Sequence, residues 1–266
     1  MMTQSSADGS NAAPAVAGGT NHLSLADRVA VVTGASGGIG EALGVMLADE
    51  GARVALAGRR AAELSRVLER IAAMGGRAIS VPTDVRRDGD LDVLLARTER
   101  ELGPVDILVN NAGILGSAAA FRPFHEIDVD EWDEMLAVNL RAAVLLCRAV
   151  VPKMLSRGRG WIVNIASEAG VFIYPGMSSY SVSKHALRVL TEVIDAEYGQ
   201  LGISAWAVCP GLVDTQMGLA EQATHREYAL TADELAEAVR SMFRSPQRIK
   251  LGPQVLLRTK QNPFSD

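Results

Sequence analysis

Arg28-Val-Ala-Val-Val-Thr33-Gly34-Ala35-Ser36-Gly37-Gly38-Ile39-Gly40 is the stretch on which the architecture turns. Its first six residues are mostly apolar and β-branched, the composition of a strand buried on both faces of a parallel sheet. Glycines follow where backbone must turn and let a ligand approach closely, and residues 41–50 read as a helix. A strand, a glycine turn and a helix start make the opening of a βαβ unit. The helix start offers unpaired N–H groups and the positive end of a dipole to a pyrophosphate.

Outward from this unit the same alternation recurs. Strand-like runs occupy 53–57, 77–81, 105–109, 160–165, 203–209 and 254–258. Helix-like stretches fill 61–74, 88–102, 131–156 and 178–201, and a last helix follows the capping sequence Thr231-Ala-Asp-Glu. Strands alternating with helices predict an α/β fold, a Rossmann-type doubly wound parallel sheet of about seven strands joined by right-handed crossovers. The 266 residues fit one dinucleotide-binding and catalytic domain over 25–266. Residues 1–24, rich in Ala, Ser, Gly, Asn and Thr, read as a disordered tail with neither the basic nor the apolar region of a secretory signal.

The end of the second strand bears on the cofactor. Where many dinucleotide folds present Asp or Glu to a ribose 2′-hydroxyl, this chain has Gly58, Arg59 and Arg60. Removing the carboxylate removes repulsion, and guanidinium groups attract a 2′-phosphate. The pattern predicts NADP(H) over NAD(H), with Arg59 the leading contact. The plain alternative makes both arginines a solvated start to the next helix.

A second stretch carries acid–base chemistry. Asn164-Ile-Ala-Ser167 is followed thirteen residues later by Tyr180, and Lys184 comes one helical turn after that. With a phenolate and an ammonium about 5 Å apart and an effective dielectric near 20, the attraction is roughly 3 kcal/mol. That predicts a Tyr180 phenol lowered by about two pKa units from about 10. Alone, Tyr-x-x-x-Lys also suits a surface tyrosine covered by a lysine stem.

The glycine turn, the Val-Asn-Ile-Ala-Ser167 run, Tyr180 and Lys184 together resemble the short-chain dehydrogenase/reductase family. The likeness extends over roughly residues 25–260. Its Thr-Gly-x-x-x-Gly-x-Gly turn maps onto Gly34, Gly38, Ile39 and Gly40, with Ser36 between them. Asn110-Asn111-Ala112-Gly113 resembles the family's fourth-strand motif, Asn110 bracing the sheet and Asn111, Ala112 and Gly113 bordering the cofactor. The resemblance implies further cofactor contacts at Asp84, Val85, Pro210, Gly211, Val213 and Thr215. Asp84 would accept from the adenine amino group; it equally suits the cap of the helix near 88–102. Asn139, within Val-Asn-Leu, would hold through its backbone a water linking Lys184 to solvent, or be a satisfied core hydrogen-bonding residue.

On this resemblance Tyr180 is the general acid/base and Ser167 a second donor to the substrate oxygen. Lys184 binds the ribose, and Asn139 completes the relay. The implied reaction is hydride transfer between NADP(H) and a carbonyl/alcohol pair, of 3-oxoacyl or 3-hydroxy acid type. The alternative is a non-catalytic NADP(H)-binding partner or sensor. The chain ends Arg258-Thr-Lys-Gln-Asn-Pro rather than with the family's common Asp-Gly-Gly turn. This is closer to the hydroxy-acid and serine dehydrogenase-like branch and weakens an assignment as 3-oxoacyl carrier-protein reductase. The resemblance also implies a homodimer or homotetramer through helices around 131–156 and 178–201.

Composition narrows the partners. A net charge of −5 without a Lys/Arg cluster points away from nucleic acid and anionic membranes. Cys147 and Cys209 lie far apart in apolar runs, as reduced core thiols of a cytoplasmic protein would, and no spacing suggests a metal site. The most apolar helix candidate is interrupted by Asn139, Arg141, Arg148 and Lys153, so no membrane span is expected. Loop 168–177 offers an apolar substrate wall. Residues 212–231, including His225, suit a mobile lid, and Arg122, Arg226 or His225 would meet an anionic substrate group.

Overall fold

The computed structural model describes residues 24–116, 122–219, 227–245 and 251–260. Seven strands form one sheet in the order β3-β2-β1-β4-β5-β6-β7. They are β1 (Val29–Thr33), β2 (Arg53–Gly58), β3 (Arg77–Pro82), β4 (Ile107–Asn110), β5 (Gly160–Ile165), β6 (Ile203–Pro210) and β7 (Gln254–Leu257). Every neighbouring pair is parallel. The chain builds β1, β2 and β3 in one direction, then returns to place β4 on the other side of β1. That reversal makes β1 and β4 the topological switch point, and ligands of open α/β sheets bind beyond the carboxyl ends there.

Strand alternation sorts the core. Ala30 and Val32 of β1 pack on α1 (Gly38–Asp49), α2 (Ala61–Ala73) and α8 (Ala232–Phe243), with Leu43, Val67 and Val239. Val29 and Val31 point the other way, into a layer with α3 (Asp88–Glu101), α5 (Ala142–Ser156) and α6 (Ser178–Tyr198). Helices therefore cover both faces, so the strands read as continuous apolar runs.

Most boundaries fall within a few residues of the sequence reading, with two notable differences. The fourth strand begins at Ile107; just before it, the Asp106 carboxylate accepts from the Val29 N–H at 3.2 Å and pairs with Arg159 at 3.4 Å. The helix expected over 131–156 is interrupted. α4 (Val129–Leu136) runs into a π-helical turn, Ala137–Arg141, before α5 resumes. Such turns bulge the backbone locally and recur at functional sites; this one holds Asn139. The combined helical run Val129–Ser156 is long and apolar enough to cross a membrane by length and composition. Here Leu146, Val150 and Met154 of that run are buried in the sheet-facing core.

Candidate active site

The site is assembled at the carboxyl ends of β1, β4, β5 and β6. Gly34 and Gly38 adopt φ of 66° and 55°, which glycine tolerates without strain. A Cβ on Gly34 would lie 2.8 Å from Asn111 Nδ2, and one on Gly40 only 2.3 Å from the Gly34 oxygen. These two glycines let α1 and β4 close on the turn. Gly37 and Gly38 are the open ones, facing Arg60 and Thr215 at 3.2 and 3.0 Å from a built Cβ. Ile39 packs partly against the core.

Thr33 ties the turn to β4, a role that sequence inspection missed. Its hydroxyl donates to the Val109 carbonyl and accepts from the N–H groups of Asn111 and Ala112, both at 3.0 Å. The Asn111 side chain donates to the carbonyls of Thr33 and Gly34 at 2.9 and 3.2 Å. Its amide is therefore engaged in positioning the turn, beside the Ala112–Gly113 backbone expected to border the cofactor. A hydroxyl at the last residue of a buried strand was the available signal.

The two arginines separate. Arg60 folds over the glycine turn, donating to Ser36 Oγ at 3.1 Å and the Ser36 carbonyl at 3.2 Å, and reaches Gln216 at 3.4 Å. Arg59 is exposed and forms no hydrogen bond or ion pair among the described residues; its field acts on Asp84. Asp84 does not cap α3, whose first flanking residue is Arg87. Arg86 grips it through Nε at 2.9 Å and Nη2 at 2.6 Å, which holds its carboxyl down at about 2. Val85 is a buried core side chain.

Ser167 leaves β5 and caps a short 3-10 turn, Glu168–Gly170, its Oγ accepting from the Ala169 N–H at 3.1 Å. That fixes the hydroxyl on the side of the Tyr180 phenol, whose acidity it favours. Lys184, 4% exposed, donates from Nζ to the Ile165 carbonyl at 2.9 Å. The same nitrogen lies 5.7 Å from the centre of the Tyr180 ring. A Cβ on Gly113 would sit 3.3 Å from Lys184 Nζ and 3.4 Å from Asn139 Oδ1, so Gly113 leaves room where these groups converge. Asn139 is 1% exposed; its side chain accepts from the Ile114 N–H at 2.8 Å and donates to the Ile114 carbonyl at 2.9 Å. It also donates to Ser183 Oγ, which donates in turn to the Tyr180 carbonyl at 2.7 Å. The side chain is thus a satisfied core group that joins the π turn to α6.

The electrostatics differ from expectation. Burial is the largest influence on the Tyr180 phenol and pushes it up; the Ser167 hydrogen bond opposes this, and the Glu168 charge adds to it. Burial also lowers Lys184 to about 8. Attraction to the ammonium alone would lower the phenol, but both groups give up water on burial, and in this arrangement desolvation wins. Burial likewise raises Cys147 to about 12 and Cys209 to about 11, as suits protonated core thiols.

Asn110 braces the sheet as expected. It donates to Asn164 Oδ1 at 2.8 Å, and Asn164 donates to Thr191 of α6 at 2.8 Å. Past β6, Pro210 ends the strand and the Gly211 N–H pairs with the Leu257 carbonyl at 2.8 Å. Val213 is buried, and Thr215 sits opposite Gly38. Arg122 pairs with Glu131 at 3.5 Å. His225, Arg226 and residues 220–226 of the expected lid, like residues 1–23 of the expected tail, lie outside the described residues. An apolar groove between Phe124, Ile173, Pro175, Val182, His185 and Val189 runs along the outer face of α6; Ser167, Tyr180 and Lys184 do not line it.

A family model described as short chain dehydrogenase matches residues 28–226. The chain is 34% identical over 227 residues to an uncharacterized oxidoreductase of Staphylococcus aureus, covering 85% of this chain and 95% of that one. It is 42% identical over 196 residues to the 2-(R)-hydroxypropyl-CoM dehydrogenase of Xanthobacter autotrophicus, with 71% and 76% covered. The crystal structure of an alcohol dehydrogenase from the archaeon Thermococcus sibiricus, complexed with 5-hydroxy-NADP, superposes with a TM-score of 0.79 at 28% identity. That match covers 88% of this chain and 97% of that one.

Proposed function

The chain belongs to the short-chain dehydrogenase/reductase family of oxidoreductases, and from that premise we propose that it moves hydride between NADP(H) and a carbonyl/alcohol pair. The observation that carries the reading is the convergence of Lys184 with Asn139 at Gly113 and with the Tyr180 ring, 5.7 Å from its nitrogen, where the Ser167 hydroxyl acts on the phenol. In this reading residues 25–266 form one dinucleotide-binding and catalytic unit.

The residues present suit the cofactor. Gly37 and Gly38 expose backbone at the start of α1, where N–H groups and the helix dipole favour a pyrophosphate. Arg59, exposed at the end of β2 and without a hydrogen bond or ion pair among the described residues, would take the 2′-phosphate. Thr215 and Gly113 would flank the nicotinamide end, and Lys184 would hold the ribose. The bound cofactor supplies or accepts the hydride.

The remaining steps fall to side chains. Tyr180 gives its proton to the carbonyl oxygen during reduction and takes it back during oxidation. A phenol raised by burial stays protonated and ready to donate. Ser167, held by the Ala169 N–H, directs a hydrogen bond to the same oxygen as negative charge grows there. The Lys184 ammonium sits within reach to stabilise the phenolate once the proton has left. Asn139, at the π turn, would anchor through its backbone a water joining Lys184 to solvent.

A 3-oxoacyl or 3-hydroxy acid type of substrate fits the apolar loop 168–177. In a cytoplasmic setting the protein would act as a homodimer or homotetramer, with Val182, Val189 and Val193 of α6, all more than 40% exposed, covered by a second copy. A panel of ketones and 3-oxo esters with NADPH, repeated with NADH, tests the reading. NADPH oxidation by at least one carbonyl, faster than with NADH, is expected. Tight NADPH binding with no turnover across the panel would favour the non-catalytic alternative.

A further inference from the structure

The residue after Ser167 is Glu168, a carboxylate only 17% exposed in its side chain. Its partner comes from the far end of the chain. Arg258, just past the end of the edge strand β7, donates from Nε to Glu168 Oε2 at 2.8 Å, and its own side chain is 12% exposed. The Arg258 guanidinium also lies 4.5 Å from the centre of the Phe172 ring, a cation–π stacking distance. The Tyr174 phenol lies in the field of both, the Glu168 charge raising its pKa and Arg258 lowering it. The N–H groups of Val171 and Phe172 meanwhile both donate to the Glu168 carbonyl.

One guanidinium thus pairs with Glu168, stacks on Phe172 and acts electrostatically on Tyr174, all in the segment that leaves Ser167 and leads to the Tyr180 helix. A second tie runs parallel to it: Arg188 of α6 donates to the Gly170 carbonyl at 3.0 Å and reaches Gln254 of β7 at 3.3 Å. A planar, always-charged fork that pairs and stacks at once is a task lysine does poorly.

We propose that Arg258 is a positioning residue for substrate, clamping loop 168–177 so that Phe172 and Tyr174 form a fixed wall beside Ser167 and Tyr180. Strand β7 then shapes substrate selection, although neither it nor Arg258 belongs to the proton-transfer machinery. The role in selection rests on the proposed carbonyl/alcohol activity; the clamp itself does not.

The test uses the full chain with Arg258→Met, Arg258→Lys and Phe172→Ala. Amide hydrogen exchange of the 168–177 segment reads the clamp without any turnover. NADPH affinity and steady-state kinetics with cyclohexanone and ethyl acetoacetate read the consequence. Loss of a charged hydrogen bond should speed exchange in that segment, and raise KM in Arg258→Met, by about tenfold or more. NADPH affinity should stay within about twofold of wild type, and Arg258→Lys should fall between the two. Should Arg258→Met fail to fold, Phe172→Ala, on a side chain 41% exposed, removes the stacking alone and should move both readouts in the same direction. Unchanged exchange in the segment overturns the clamp. Faster exchange with KM unchanged, or with NADPH affinity falling in step with KM, overturns the role in substrate selection. Absence of carbonyl turnover in the wild type would instead refute the proposed activity, and the exchange arm would still decide the clamp.

Discussion

Lys184 places its ammonium nitrogen 2.9 Å from the carbonyl oxygen of Ile165, at the end of the strand that delivers Ser167. This single carbonyl does not repay the water the ammonium gives up, and burial holds the lysine at about 8, below its ordinary 10.5. Between those values the unfolded chain keeps the proton and the folded chain has released it. Unfolding there takes up a proton, so this group's contribution to stability rises with pH. Wild type should therefore gain relative to Lys184→Met by up to ~3 kcal/mol between pH 7 and pH 10. Urea unfolding of both proteins across that range checks it; a constant difference would contradict the buried, strained ammonium.

Asn139 offers a test of the π turn. Its amide satisfies both backbone groups of Ile114 and reaches Ser183. Asn139→Ala leaves that backbone pair without its partner in a region closed to water, which should destabilise the fold by about 2–4 kcal/mol. Asn139→Asp, which keeps the acceptor and loses the donor, should fall between alanine and wild type. Denaturant midpoints at unchanged slope give the comparison.

The glycines of the turn should separate by function. A methyl at Gly40 meets the Gly34 oxygen at 2.3 Å and Asn111 Nδ2 at 2.4 Å, so Gly40→Ala should cost about 2 kcal/mol or more despite alanine's better helix propensity. A methyl at Gly37 meets only the far end of the long Arg60 side chain, at 3.2 Å, on an extended backbone with φ of 166°. Gly37→Ala should fold with a stability change under about 1 kcal/mol. Thermal unfolding of the two variants reads the difference directly.

Arg59 and Arg60 should contribute unequally to cofactor choice. Among the described residues Arg59 makes no hydrogen bond or ion pair, while Arg60 already holds Ser36. Arg59→Ala should lower kcat/KM for NADPH by about 10- to 100-fold and leave NADH nearly unaffected, the value of one or two charged hydrogen bonds to a phosphate. Arg60→Ala should have the smaller effect on that ratio. A larger effect at Arg60 would reverse the assignment.

The strands and their order of appearance were legible because a sheet covered on both faces demands continuous β-branched, apolar runs, as in β1 and β6. The catalytic candidates were legible because their spacing fits a helix: Tyr180 and Lys184 do lie one turn apart on α6. What stayed hidden depends on contacts distant in sequence. Arg60 turns back onto Ser36, twenty-four positions away, and local spacing does not encode that choice. The π turn at Asn139 lies inside a uniformly helical composition, where one extra residue per turn leaves no mark on periodicity. The pairing of Glu168 with Arg258 spans ninety positions. Desolvation of Tyr180 and Lys184 depends on how the layers close, which a two-charge estimate omits.

The central claim is that the Tyr180 phenol transfers the proton to and from substrate oxygen. Carbonyl-dependent NADPH oxidation, followed at 340 nm in wild type and Tyr180→Phe alongside the NADPH dissociation constant, tests it most directly. The account predicts a fall in kcat of at least about 10²-fold, the usual worth of general acid catalysis, with NADPH affinity changed by no more than about threefold. Wild-type turnover in Tyr180→Phe would contradict it.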